Sequence, residues 1–206
     1  MIRVLVADDH KLVREGLKQI LGAAADVEVA GEAADGDQAL ALAKANHYDL
    51  ALLDMSMPGL AGIDLIKRMK LEKPALRLLV LSMHGEQQYA ARALKAGASG
   101  YLTKDSAAEQ LLVAIRKVAA GGVHISDAAA ASLVEGRGAP HAALSDREFE
   151  VLRLLAGGHG PTEIGERLHL SVKTVSTHKA RILQKLGLGS TAELVRYALE
   201  NDLLDG

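Results

Sequence analysis

The sequence predicts an α/β protein: a five-stranded parallel sheet wound on both faces with helices, followed by a smaller all-helical module. Three observations predict it. Up to residue 121, short, nearly continuous apolar runs alternate with segments of helical period, the pattern of βα units whose strands are buried on both faces. Residues 122–143 then change to Gly, Ala, Ser and Pro140 with no sustained core pattern. From Leu144 onward the strand signals stop.

Each element has its own reason. Ile2–Ala7 (IRVLVA) is short, apolar and β-branched, a strand. His10–Leu21 sets Val13, Leu17, Ile20 and Leu21 at helical spacing. Val27–Gly31 reads as a strand, and Asp37–Ala45 as a helix with Ala39, Leu40, Leu42 and Ala43 inward. Leu50–Leu53 is a strand, Leu60–Met69 a helix after the Pro58-Gly59 turn, and Leu76–Leu81 a strand. Glu86–Ala96 is a helix stopped by Gly97, Gly100–Leu102 a short strand, and Ala107–Ala120 a helix stopped by Gly121-Gly122. The linker has room for one short helix near Asp127–Glu135. Four short helices complete the chain: Asp146–Ala156, Pro161–Leu168, Val172–Leu186 and Ala192–Glu200. The expected division is therefore 1–121, linker 122–143, and 144–206.

Composition narrows the function classes. The chain of 206 residues has no cysteine, which excludes disulfides, thiolate metal sites and a cysteine nucleophile. Its opening run, MIRVLVADDH, reaches acids too soon for a signal peptide, and no stretch of about 18 apolar residues occurs. A bacterial-type cytoplasmic protein without a membrane span is expected. A net charge of −2 argues against a general nucleic-acid binder. Yet between Glu166 and Glu193 there is no acid, while Arg167, Lys173, Lys179, Arg181 and Lys185 give a local basic stripe. On charge alone, a solvated helix face explains that stripe equally well.

"ALLDMSMPGLAG", residues 51–62, ends an aliphatic run in a carboxylate, Asp54. Ligands of an open doubly wound sheet sit outside the carboxyl ends of the strands, where the strand order reverses. For five βα units in the flavodoxin-like order 2-1-3-4-5, that crevice lies between the first strand, which ends in Asp8-Asp9, and the third, which ends in Asp54. Clustered acids repel unless a cation neutralises them, and an all-oxygen set suits a hard divalent ion, Mg²⁺ above all. An acidic pair alone would be read as a helix cap; its match to a second acid at the neighbouring strand end favours metal. The fourth strand leads into Ser82, and the fifth through Tyr101 to Lys104, a cation able to meet a phosphoryl oxygen.

On Asp8-Asp9, Asp54 in "ALLDMSMPGLAG", Ser82 in "LVLSMH", and Tyr101 and Lys104 in "GYLTKD", residues 1–121 resemble the receiver domain of bacterial two-component response regulators. The resemblance implies that Asp54 is phosphorylated by a sensor histidine kinase. It implies that Asp8, Asp9, Asp54 and the main-chain carbonyl of Ser56 bind Mg²⁺. Ser82 matches the hydroxyl that contacts the phosphoryl group, and Tyr101 the aromatic whose rotamer follows it.

In the C-terminal module, Ser145 with Glu148 forms a capping-box pattern, and Ser171 can cap the long helix. That helix sets Val175, Ile182, Leu183 and Leu186 on one face and Lys173, Ser176, Thr177, Ala180, Arg181 and Gln184 on the other. Small and polar residues flanked by cations suit the major groove of double-stranded DNA. Lys179, Arg181 and Lys185 are expected on phosphates, setting affinity more than sequence choice. With four tyrosines, one phenylalanine and no tryptophan, stacking on single strands is not expected. "LSDREFEVL", "EIGERLHLS", "KTVSTHKARILQKLG" and "ELVRYAL" resemble the LuxR-type helix-turn-helix of the NarL/FixJ subfamily. Gly160-Pro161 and Ser176 depart from the common pattern, so operator preference does not carry over. His178 matches a common position and is read as a packing or phosphate contact. The resemblance implies a homodimer on inverted half-sites when phosphorylated, with Leu194, Val195 and Leu199 as the dimer contact of the DNA-binding module.

Two rivals are weaker. A phosphatase of the haloacid-dehalogenase type also uses a strand-end aspartate and Mg²⁺, but wants a second aspartate where this chain has Ser56. No Walker loop, His-Glu-x-x-His run or nucleophile elbow is present. A regulator that has lost phosphorylation is opposed by the complete acid set. The expectation is thus a regulator, not an enzyme beyond phosphorylation and dephosphorylation of its own Asp54.

Overall fold

The computed structural model describes residues 1–57, 60–82, 86–106, 108–126, 130, 140–201 and 203–204, with the side chains of 86–88 left out. The Pro58-Gly59 turn and the short helix near Asp127–Glu135 lie outside the described residues. Among the described residues the chain forms five strands and nine α-helices. It divides into two compact units between Ala130 and Ala131.

In the first unit β1 (Ile2–Ala7), β2 (Val27–Ala33), β3 (Leu50–Asp54), β4 (Arg77–Ser82) and β5 (Gly100–Thr103) alternate with α1 (Lys11–Gly22), α2 (Gly36–Ala45), α3 (Gly62–Glu72), α4 (Glu86–Ala96) and α5 (Ala108–Ala119). All pairings are parallel, in the order β2-β1-β3-β4-β5. Alternate residues of each strand serve opposite faces. Val4, Val6, Leu50, Leu52, Leu79 and Leu81 pack with Leu17 and Leu21 of α1 and Leu111, Ile115 and Val118 of α5. Their strand neighbours Leu5, Leu53, Leu78 and Val80 face the other way and are equally buried. Double-sided burial is why these strands read as continuous apolar runs rather than as alternation.

Boundaries moved where local chemistry decided them. β2 runs on to Ala33, and α2 begins at Gly36, one residue before the expected Asp37, because the Asp35 side chain caps it by accepting from the Gln38 amide at 2.7 Å. β3 includes Asp54 itself. Beyond Gly122 the chain does not leave the sheet at once. His124 bridges to Gly100 at the β5 edge, its carbonyl accepting from the Tyr101 amide at 2.9 Å. No period or turn signal marks so short a pairing.

The second unit is helical: α6 (Asp146–Ala156), α7 (Pro161–Leu168), α8 (Val172–Leu186) and α9 (Thr191–Glu200), preceded by a 3₁₀ turn at Pro140–Ala143. The capping box at Ser145 and Glu148 is formed, and Ser171 caps α8 by accepting from the Thr174 amide at 3.1 Å. Phe149, Val151, Leu152, Ile164, Val175, Ile182, Leu194 and Ala198 form the core. His141 in the 3₁₀ turn is buried beside Phe149, with Nδ1 2.9 Å from the Tyr197 hydroxyl.

Two helical glycines differ in what surrounds them. A Cβ on Gly165 would stand 2.6 Å from the Leu170 carbonyl oxygen, where the turn after α7 folds back. Around Gly16 in α1 nothing lies within 4 Å. Replacing helical Gly by Ala gains about 1 kcal/mol of helix propensity, whereas forcing an atom into a packed site costs about 1–3 kcal/mol. Gly16→Ala should therefore raise the melting temperature of the protein, and Gly165→Ala should lower it. Circular dichroism melts of both variants check this; a rise for Gly165→Ala would contradict it.

Candidate functional site

The sheet order brings the ends of β1 and β3 side by side, with Ala7 opposite Leu53. Asp8, one residue past β1, and Asp54, the last of β3, therefore meet at the carboxyl edge. Asp8 and Asp54 are only 1% and 3% exposed, and Asp9 is half-buried beside them. On the other side, Ser82 pairs with Thr103, and the Lys104 amide donates to the Ser82 carbonyl at 2.8 Å. That placement delivers the Lys104 ammonium to the acids: Nζ lies 2.6 Å from Asp8 Oδ2 and 2.9 Å from Asp54 Oδ2.

Both contacts lie at hydrogen-bond distance, so the ammonium ties Asp8 to Asp54. The Lys104 ammonium touches two of the three carboxylates, Asp8 and Asp54. With all three acids ionised, the cluster carries two negative charges more than its one ammonium offsets, the amount one divalent cation carries. Burial pushes the Asp54 carboxyl above the ordinary aspartate range; Lys104 pulls it back, Asp8 adds to the rise, and the Ser56 amide, donating to Oδ1 at 3.3 Å, opposes it. For Lys104, burial favours the neutral amine, but the contacts to Asp8 and Asp54 outweigh it and hold the ammonium above its usual value.

Two neighbours were not singled out from sequence. Arg14 donates to the Asp8 carbonyl at 2.6 Å, fixing the end of β1. His10 stands directly after the acidic pair. Its amide donates to Asp8 Oδ1 at 2.8 Å, and its ring Nδ1 lies 2.9 Å from Asp9 Oδ1. A metal-ligating residue type adjoining two acids was the signal available for it. Nitrogen and carboxylate oxygens of Asp8, Asp9, His10 and Asp54 all fall within 4.8 Å of one another.

Ser82 is buried at the end of β4. Tyr101, in β5, is fully buried, at 0% exposure.

In the helical unit, Lys173, Ser176, Thr177 and Arg181 are exposed along α8, and Lys179 is half-buried. The Ser176 and Thr177 hydroxyls donate back to the Val172 and Lys173 carbonyls, each at 2.9 Å, which leaves their oxygens as acceptors. Lys185 is drawn inward from the stripe. Its ammonium lies 2.7 Å from Glu148 Oε2 and 3.3 Å from the Ala143 carbonyl. Glu148 is buried, which favours its neutral form, but Lys185 and Ser145 overcome this and hold its carboxyl below the ordinary glutamate value. His178 is pushed below the ordinary histidine value by burial, and its Nδ1 has no hydrogen-bond partner among the described residues. Of the three apolar residues expected at a dimer contact, Leu194 is corrected: α9 turns it into its own core, at 0% exposure. Val195 is half-buried, and Leu199 is 60% exposed.

Fold and site define a protein class: an acid-centred receiver sheet joined to a helix-turn-helix module. Residues 4–116 match the model of the response regulator receiver domain, and residues 142–198 that of bacterial regulatory proteins of the luxR family. The chain is 39% identical to the oxygen regulatory protein NreC of Staphylococcus carnosus, across 99% of this chain and 100% of that one. It is 35% identical to the response regulator UvrY of Escherichia coli, across 98% and 96%. A solved structure of RcsB from Salmonella enterica serovar Typhimurium, bound to the promoter rprA in the presence of phosphomimetic BeF3−, superposes with a TM-score of 0.69 at 31% identity, covering 95% of this chain and 97% of that one. The chain belongs to the response regulators that join a receiver to a luxR-family regulatory domain, the architecture of phosphorylation-controlled transcription regulation. Among the described residues no helix is long and apolar enough to cross a membrane.

The raised Asp54 carboxyl has a consequence for stability. A group whose folded pKa exceeds its unfolded value destabilises the fold when ionised, fully so above the folded pKa, and the penalty fades as pH falls through the unfolded value. Asp54→Asn should therefore melt at a higher temperature than the parent at pH 7 in a chelator. The gap should narrow as the pH drops through the carboxylate range. Paired melts across that range check this, and a parent more stable at pH 7 contradicts it.

Proposed function

We propose that Asp54 accepts a phosphoryl group from a sensor histidine kinase or a small acyl phosphate, and that this modification controls binding of the helical module to double-stranded DNA. One observation carries the reading: a buried carboxylate at the end of β3, flanked by two further acids and touched by a lysine ammonium. An Asp54 oxygen attacks phosphorus while the bond to the donor's nitrogen or acyl oxygen breaks and the donor keeps that electron pair. Because β3 is pinned between β1 and β4, the nucleophile is held without a loop's freedom. Asp8, Asp9, Asp54 and the Ser56 carbonyl would hold Mg²⁺, which fits the clustered carboxylates and their two negative charges beyond the one Lys104 offsets. Bound there, Mg²⁺ supplies charge stabilisation for the transferring group. Lys104, released from Asp54, neutralises a phosphoryl oxygen, and Ser82 offers its hydroxyl to another. The phosphoryl chemistry is confined to the chain's own Asp54.

The receiver role belongs to residues 1–121, the linker to 122–143 and the DNA-binding role to 144–206, with function in the cytoplasm. On DNA, Ser176 and Thr177 lie where α8 would read base edges, while Lys173, Lys179 and Arg181 would meet phosphates. Lys185 contributes less because Glu148 already holds it. RcsB solved on its promoter supports the same use here. Dimerisation on inverted half-sites would rest on Val195 and Leu199 rather than Leu194.

Asp54→Ala should abolish labelling by acetyl phosphate in a phosphate-affinity gel; a full shifted band from the variant would sink the assignment. On DNA, Lys179→Ala should weaken all sequences alike and flatten the salt dependence by about one unit of slope, whereas Thr177→Ala should alter the selected consensus. The same consensus for Thr177→Ala and the parent would refute its base-reading role.

A further inference from the structure

We infer that Arg14 is a positioning residue for the metal-binding acids: by holding the main chain of Asp8, it sets the Asp8 and Asp9 carboxylates where a divalent cation can use both. The inference rests on the Mg²⁺ reading of Asp8, Asp9 and Asp54 given above. Asp8 is the first residue beyond β1, where sheet pairing ends. Its amide still donates to the Ala33 carbonyl of β2, at 3.2 Å. Its carbonyl is taken by Arg14, whose Nη1 donates at 2.6 Å. The Arg14 amide meanwhile donates to the His10 carbonyl at 3.1 Å. Main chain and side chain of one residue in α1 therefore close the turn that carries both acids.

The Arg14 side chain is only 15% exposed, so its bond to Asp8 lies largely out of water, where it is stronger. Behind it, Nε stands 3.8 Å from Glu32 Oε2, and Lys18 holds the other Glu32 oxygen at 3.0 Å. Asp8 passes this hold to its carboxylate at short range: Oδ1 accepts from the His10 amide at 2.8 Å, and Oδ2 meets the Lys104 ammonium at 2.6 Å. A displaced Asp8 peptide would carry both carboxylates with it, since Asp9 follows directly. Arg14 acts through Asp8, because its side-chain contacts among the described residues are to the Asp8 carbonyl and Glu32. Charge and position predict opposite signs for its loss. A guanidinium beside the acids repels a second cation, so removing its charge alone would tighten Mg²⁺ binding. Removing a positioning bond loosens it.

The test titrates the full chain with Mg²⁺ by calorimetry. Arg14→Met keeps the aliphatic stem and loses the donor, whereas Arg14→Lys keeps stem, charge and a donor; circular dichroism checks the fold of both. Mg²⁺ affinity should fall about tenfold in Arg14→Met, the scale on which a partner that orients a ligand matters, and Arg14→Lys should recover most of the loss. Labelling of Asp54 by acetyl phosphate should slow in Arg14→Met at limiting Mg²⁺ and return to the parental rate at saturation. In the parent, nuclear magnetic resonance should show the Arg14 Nη groups rotating slowly; fast averaging overturns the inference with no variant needed. Unchanged or tighter Mg²⁺ binding by Arg14→Met also overturns it, as does a rate that stays slow at saturation, or an Arg14→Lys as weak as Arg14→Met. Asp9→Ala keeps the two readings apart. If it loses Mg²⁺ affinity while Arg14→Met does not, only the inference falls; if it binds as the parent does, the metal reading falls with it.

Discussion

Three carboxylates crowded at the carboxyl edge of the sheet, with one lysine ammonium between two of them, set the terms for the receiver. Like charges this close are tolerated only with compensation, and desolvation makes the demand steeper. The topology both creates the problem and supplies the partial remedy. β1 and β3 are neighbours, so their acids meet; β5 carries Lys104, held beside Ser82 by a main-chain bond, so its side chain reaches back across β4. The compensation is incomplete, and that is the useful feature. A fully neutralised cluster would be a structural ion-pair network with nothing left to bind. This one sets three carboxylates against one ammonium and so retains negative charge.

The same logic of opposed terms appears in the helical unit. Glu148 is buried, which works against its charge, yet it is tied by Lys185, by the Ser145 amide and by its place in the capping box. Lys185 sits at the end of α8, and Glu148 in the first turn of α6. Their contact ties α8 to α6. Removing Lys185 would leave the buried Glu148 charge without its partner, whereas Lys185, 40% exposed, would remain solvated without Glu148. Lys185 is thereby engaged within the helical unit, whereas Lys173 and Arg181 stay exposed along α8.

Much of this was legible in the sequence, and the reasons separate what was from what was not. Strand and helix identity follow from local period and apolar runs, so all five βα units and the four helices after Leu144 were readable. Asp8, Asp9, Asp54 and Lys104 were readable because topology alone fixes where strand ends meet. Side-chain direction was not. Leu194 carries the same apolar character as Leu199, and only packing decides that one is core and the other surface. Lys185 belongs to the basic stripe by composition, but a partner 37 residues away claims its ammonium. The His124 bridge is a single residue pair beyond a helix stop, too short for any periodic signal.

The buried Tyr101 changes how a phosphoryl group could act at a distance. If the ring already lies inside, its inward turn cannot be the work that phosphorylation performs. What remains movable is Lys104, whose ammonium now bridges Asp8 and Asp54, and the Ser82–Thr103 ends of β4 and β5 that carry it. A ligand shifts an equilibrium only by its differential affinity for the two states, and reversing a 99:1 bias takes about 5.5 kcal/mol. Moving Lys104 from two carboxylates to a phosphoryl oxygen exchanges one set of charge contacts for another, so the net difference is far smaller than either set. The leverage of a phosphoryl group there is thus a difference between two sets of contacts, not the whole of either. Such a site is suited to biasing a chain that already samples both states, and leaves a cooperative step, such as pairing of two copies on DNA, to sharpen the response.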